Sequence, residues 1–379
     1  MQRATSYVDT PERAREAGLA IAAADTIAVD CEAAGYHRYS DRLCLVQLST
    51  PSRTFVLDPL AVDLKPQLGG LEDPRRTVLM HGAAYDLRLL GRDLDIRVAQ
   101  LVDTQVQAGL LGEPAVGLQA LLERHLGIRV SKKFQKADWA RRPLSAEMVE
   151  YAADDTRHLH RLAAILGERL REMGRASWAE EECAWLVRSA SSPETPGPPA
   201  DPVTRFRGAR RLSPRAVTAL RAVIGWRDAV ARDLDRAPFR VASDAALLEV
   251  VVRSPASLHQ LTRVNGFPPR LARSRGKSLL RVLEDVDRLP AAELSPYPLS
   301  TTRRSRPTPD EEATFERLKA ARNRVANELA LDRGRVMANN ALRAVAAAKP
   351  RSLKELVAVD DVRQWQAEVL GQKLLAAMK

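Results

Sequence analysis

The chain has 379 residues, 45% of them hydrophobic and 28% charged, and a formal net charge of +11. That length predicts two or three domains with packed cores, while the absence of a long apolar run or a signal-peptide core predicts a protein without a membrane span, in the cytoplasm. Cys31, Cys44 and Cys183 show neither pairwise nor metal-ligand spacing, which argues against a disulfide framework or a zinc site and for buried thiols in a reducing compartment.

In chain order, short turn-bounded apolar runs at 26–31, 43–49, 54–58 and 77–81 are predicted strands. The first three follow one another across short polar stretches and are expected to form an antiparallel meander. Helical periodicity follows at 84–92, 104–112, 117–126 and 145–173. Residues 1–188 are therefore expected to form an α/β domain, a sheet of about five strands with flanking helices. Stretches rich in Pro and Ser at 189–203 and 289–309 read as linkers, leaving 206–288 and 308–379 as two all-α segments. Residues 1–200 hold 25 Lys+Arg against 28 Asp+Glu, a balance of −3, and residues 201–379 hold 34 against 20, a balance of +14. An acidic half joined to a basic half suggests catalysis in the first and polyanion holding in the second.

Three blocks in the first domain concentrate the chemistry. Asp30 and Glu32, in TIAVDCEA, stand at i and i+2 of a strand and project from one face. Asp86 closes HGAAYD, and Tyr151 and Asp155, in EYAADD, are at i and i+4 of a helix and also share a face. Carboxylates forced together repel unless divalent cations neutralise them, and hard cations choose such oxygens. Singly, Asp86 also suits a helix N-terminus and Asp155 a solvated helix face.

The blocks, in this order and at these separations, resemble the Exo I, II and III motifs of the DEDD 3′–5′ exonuclease superfamily. The Tyr-x-x-x-Asp spacing marks its tyrosine subclass, and the chain as a whole is similar to the ribonuclease D family. The resemblance implies a ribonuclease H-like first domain with mixed strand directions, and two divalent cations, Mg²⁺ or Mn²⁺. It implies that Asp30 bridges both ions, that Glu32 and Asp155 complete the nucleophile-side ion, and that Asp86 supports the leaving-group side through water. Tyr151 would orient the attacking water, since an unperturbed phenol is a poor base at neutral pH. Two positions depart from the family pattern: Cys31 stands where Thr is frequent, and Ala33 where a bulky side chain is frequent. Tyr36, His37 or Tyr39 then become candidates for the aromatic wedge against the terminal base.

SKKFQKADWARRPL, residues 131–144, resembles the family stretch ahead of the third motif. Lys132, Lys133, Gln135 and Lys136 are candidate contacts to the incoming strand; the alternative is an exposed basic loop with Trp139 in the core. His81 matches a frequent family position, although a strand-end His is commonly structural. Asp103–Thr104 matches too, and equally reads as a helix N-cap.

The two helical segments align with each other at a constant offset of 95 residues: Ser213–Pro214 falls on Thr308–Pro309, Arg227 on Arg322, Gly276 on Gly371. One offset over this length indicates an internal repeat, and both copies resemble HRDC domains. Thr308 and Glu311 are spaced as a capping box. Arg270 and Arg273, flanking NGFPP and the helix after it, are candidate phosphate contacts, with a solvated face as the alternative. The resemblance implies a 3′–5′ exoribonuclease that releases 5′-monophosphates from RNA 3′ ends, with transfer-RNA precursors as substrate; for want of an obvious interface signal, a monomer is expected. A 3′–5′ DNA exonuclease and a non-catalytic nucleic-acid-binding scaffold are the alternatives.

Overall fold

The computed structural model describes residues 4–191, 200–298 and 308–378. Much of the two expected linkers, at 192–199 and 299–307, lies outside the described residues. Contacts divide the chain into two compact units, one of residues 1–32, 43–193 and 304–379, the other of residues 33–42 and 194–303.

Among the described residues the first unit is built on a six-stranded sheet of order β1-β4-β3-β2-β5-β6. The strands are β1 Thr5–Val8, β2 Thr26–Ala33, β3 Leu43–Ser49, β4 Thr54–Leu57, β5 Thr77–Met80 and β6 Gln100–Asp103. β3 and β4 run antiparallel, whereas β1 with β4, β2 with β5, and β5 with β6 run parallel, so the sheet is mixed. All seven residues of β3 are buried, as expected of an inner strand covered on both faces. The count exceeds the expected five because both edge strands, unlike the equally short but largely buried β4 and β5, carry too little apolar burial to stand out as runs. Each exists by register pairing with an inner strand rather than by its own pattern.

The helix expected over 145–173 is two, Ala146–Arg157 and Leu159–Glu172, parted at His158 (φ −107°, ψ −4°). Thr156 Oγ1 lies 2.8 Å from Ser49 Oγ and pins the first half to β3. The second half packs Leu159, Leu162 and Leu166 with Leu121 and Leu122. The break lets each half keep its own partner. A further helix, Ala176–Ser191, continues into the segment expected to be linker. It carries Trp178, which stacks on Trp365 of the second repeat at 4.7 Å and 17°. Glu181 accepts from the backbone N–H groups of Gln364 and Trp365 (2.5 and 2.9 Å), and Glu182 from the Trp365 indole (2.9 Å).

The offset of 95 seen in sequence recurs in the backbone. Helices Pro214–Asp233 and Pro309–Glu328 match (214 + 95 = 309), as do Asp244–Arg253 and Asn339–Ala348 (244 + 95 = 339). Left-handed residues match as well: Asp235 (φ 44°) with Ala330 (φ 54°), and Ser254 (φ 42°) with Lys349 (φ 47°). Buried Arg227 and Arg322 both donate to the carbonyl fifteen residues on, Ala242 and Met337 respectively. Thr308 and Glu311 form the expected capping box. Gly276 and Gly371 mark the same close approach: a Cβ at Gly276 would lie 2.7 Å from Leu258, and one at Gly371 2.2 Å from Leu353.

Candidate active site

β2 ends on Asp30 and Glu32, whose alternation places both carboxylates on one face. The helix Ala146–Arg157, capped by Ser145, carries Asp155. Asp30, Glu32 and Asp155 each offer an oxygen within 4.8 Å of the others. Asp154 turns away to pair with Arg157 at 2.6 Å. Asp86 stands in the first turn of Ala84–Leu89, 6% exposed. It lies outside that three-oxygen cluster, yet it acts on Glu32 through space.

The electrostatics are those of an uncompensated anionic pocket. Burial pushes Asp30 up to about 7. Burial, then Asp30 and Asp154, push Asp155 up to about 8. Burial with Asp30, Asp155 and Asp86 raises Glu32 well above the carboxylate range, and burial with Asp30, Asp103 and Asp155 does the same for Asp86. Among the described residues, the charged groups that raise Glu32, Asp86 and Asp155 are other carboxylates. A half-buried acidic cluster without a cation is costly. Its all-oxygen donor set and close spacing fit hard divalent ions.

Tyr151 sits one turn before Asp155. Burial first, then Asp155, Glu32 and Asp30, raise its phenol above the ordinary value, so the hydroxyl keeps its proton at neutral pH. Its ring is stacked on Trp139 (centroids 6.0 Å, 29°) and meets Phe134 edge-on (5.7 Å, 80°).

Asp103 does more than cap the helix Thr104–Leu110 through Gln105 N and Val106 N. It also accepts from Gly82 N at 3.0 Å and Ala83 N at 2.8 Å, shaping the turn that leads to Asp86. Gly82 stands at φ 75°, a conformation that favours glycine. His81 Nδ1 lies 2.9 Å from Thr104 Oγ1, whose hydroxyl also donates to the Met80 carbonyl at 3.1 Å.

The remaining candidates are not members of the carboxylate cluster. Lys132, Lys133, Gln135 and Lys136 are exposed on the loop ahead of helix Ala146–Arg157. Lys133 pairs with Glu147 at 2.5 Å and lies 5.1 Å from the Phe134 ring centre. Tyr36 belongs to the second unit, where its ring is 5.6 Å from Phe239 and under Arg240 at 5.3 Å. In that unit Ala237 N donates to the His37 carbonyl, and Asp228 accepts from the Tyr39 hydroxyl. Arg270 and Arg273 are exposed on the helix Pro269–Asp287. The sequence gives no signal for Asp58, which receives Arg142 Nε and Nη2 at 2.6 and 2.7 Å.

Comparison with known proteins identifies the domains. Residues 5–171 match the 3′-5′ exonuclease family model, and residues 217–283 and 311–378 match the HRDC domain. A ribonuclease D of Granulibacter bethesdensis is 32% identical over 310 residues, covering 79% of this chain and 76% of that protein. A ribonuclease D of Pseudomonas paraeruginosa is 29% identical, covering 93% and 92%. The crystal structure of Escherichia coli RNase D, described as an exoribonuclease involved in structured RNA processing, shares the fold with a TM-score of 0.70 at 24% identity. That likeness covers 100% of this chain and 99% of that one.

Proposed function

The chain belongs to the ribonuclease D family of 3′–5′ exoribonucleases, and we propose that it trims transfer-RNA precursors at a site made of Asp30, Glu32, Asp86, Tyr151 and Asp155. The supporting observation is the cluster of three carboxylate oxygens within 4.8 Å of one another, in which neighbouring carboxylates raise Glu32 and Asp155. Asp30, Glu32 and Asp155 would hold divalent cations, Mg²⁺ or Mn²⁺, and Asp86 would support them from the neighbouring helix. When bound, such ions supply charge neutralisation and water activation for phosphodiester hydrolysis.

The chain's own groups then have distinct tasks. Tyr151 keeps its proton and orients the attacking water by hydrogen bonding, because its raised phenol cannot serve as a base at neutral pH. The Gly82–Ala83 turn, held by Asp103, sets the position of Asp86. His81, at the head of that turn, would contact the terminal nucleotide. Lys132, Lys133, Gln135 and Lys136 draw in the phosphate backbone, and Arg270 and Arg273 add phosphate contacts from the first repeat. The working form is a monomer in the cytoplasm.

Digestion of 3′-extended transfer RNA, single-stranded RNA and single-stranded DNA, with and without EDTA, tests the reading. Shortening of RNA that stops in EDTA is expected. Faster loss of DNA would favour the DNA exonuclease, and no shortening of any substrate would favour the scaffold. Asp155→Ala is expected to abolish cleavage and leave RNA binding intact; lost binding with normal turnover would contradict its assigned role.

A further inference from the structure

The segment between Ser131 and Leu144 carries two aromatic rings whose purpose the phosphate contacts leave open. Trp139, 2% exposed, lies nearly parallel to Tyr151, with centroids 6.0 Å apart at 29°. Phe134 meets the same ring edge-on from another direction, at 5.7 Å and 80°. Edge-on and offset-stacked arrangements are the favoured ones for aromatic pairs. A helix fixes only the Cα–Cβ direction of Tyr151; the ring still has two torsions to settle. Two neighbours on different sides restrict both.

The loop that supplies these rings has no helix or strand of its own and is held by Arg142. Its guanidinium donates to the Trp139 carbonyl at 2.6 Å and to the Cys44 carbonyl at 2.9 Å. It also forms a two-point ion pair with Asp58, just after β4, at 2.6 and 2.7 Å. Asp58 is 1% exposed and additionally accepts from the Tyr7 hydroxyl. A planar fork satisfied at several points is a specific, directional anchor. The chain of contacts runs from the sheet through Asp58 and Arg142 to Trp139, and from Trp139 to the ring of Tyr151.

Resting on the reading of Tyr151 as the group that orients the water, we propose that Phe134 and Trp139 are positioning residues that clamp its ring, with the Arg142–Asp58 pair as their anchor. The clamp sets where the hydroxyl stands relative to Asp155, Glu32 and Asp30. Both rings act through Tyr151, so loss of the clamp falls on turnover.

A double-mutant cycle on the full chain separates this from a packing role. Phe134 is only partly buried, so Phe134→Leu is the mild variant, with its melting temperature as the check on folding. Phe134→Leu is expected to lower kcat by roughly tenfold with KM within about twofold, since small misplacements near the chemistry are costly. In the Tyr151→Phe background the same change is expected to cost less than about twofold, there being no hydroxyl left to position. Phe134→Tyr is expected to restore kcat, and Trp139→Phe to show the same coupling to Tyr151→Phe. Equal losses in both backgrounds, a loss confined to KM, or no loss would overturn the clamp. Wild-type kcat in Tyr151→Phe alone would instead overturn the role of Tyr151 itself, and the clamp with it.

Discussion

Asp155→Asn is expected to abolish cleavage and yet stabilise the protein once divalent cations are removed. In the folded, cation-free site Asp155 is pushed up to about 8 and Asp30 to about 7, by burial and by neighbouring carboxylates for Asp155, and by burial for Asp30. An unfolded chain releases those protons in the ordinary carboxylate range near ~4. Between that range and about pH 8 the folded state binds more protons than the unfolded one, so stability falls as pH rises and is level beyond. The magnitude follows from the spacing. Two unit charges 4.8 Å apart repel by about 3.5 kcal/mol at an effective dielectric constant of ~20. Partial protonation reduces this, giving an expected gain of about 1–3 kcal/mol for Asp155→Asn at about pH 8 in EDTA, and close to none at about pH 4, where the unfolded carboxyl is itself largely protonated. At about 2–4 °C per kcal/mol, the melting temperature should rise by several degrees. Saturating Mg²⁺ should reverse the order, because the wild type alone gains the full binding energy of the ions. Thermal unfolding of both proteins at the two pH values, in EDTA and in Mg²⁺, reads all four conditions. A variant less stable than wild type at the higher pH in EDTA, or a difference that does not change with pH, would refute mutual repulsion in this pocket.

Three further expectations concern packing and binding. Gly276→Ala should cost about 1–3 kcal/mol, because the new Cβ would stand 2.7 and 2.9 Å from Leu258 and Leu261; an unchanged urea midpoint would mean that these leucines move aside freely. Trp365→Ala should cost about 3–5 kcal/mol, since it removes the stack on Trp178 and leaves Glu182 without the indole N–H. A loss below about 1 kcal/mol in thermal unfolding would show that this stack does not hold the second repeat. Replacing Lys132 and Lys136 with Ala should raise KM, leave kcat unchanged, and lower the slope of log affinity against log salt by about 0.7 per lysine. An unaltered slope in a salt titration of RNA binding would remove them from the strand's path.

What could be read in advance was local. Strand alternation puts Asp30 and Glu32 on one face, and helical periodicity puts Tyr151 and Asp155 on another, because backbone geometry alone sets those relations. The offset of 95 residues is equally local: like residues cap, turn and cross alike, down to left-handed Asp235 and Ala330. The family resemblance of the three blocks then supplied the order in which they meet. The four-residue β1 and β6 could not be read, since they are strands only by virtue of the neighbours they pair with. The break at His158 follows from two competing packing partners, Ser49 on one side and Leu121 with Leu122 on the other.

Sequence alone determined which side chains share an element's face, and hence that acidic groups and a phenol stood ready for one chemistry. Tertiary structure decided that the face of β2 meets the face of helix Ala146–Arg157, although Asp155 follows Glu32 by 123 positions in the chain. It also decided the pairing of Asp58 with Arg142 and the two rings against Tyr151. The division has a physical reason. Periodicity propagates only along a chain segment, whereas burial of charge and the stacking of rings depend on which distant surfaces the packed core brings together.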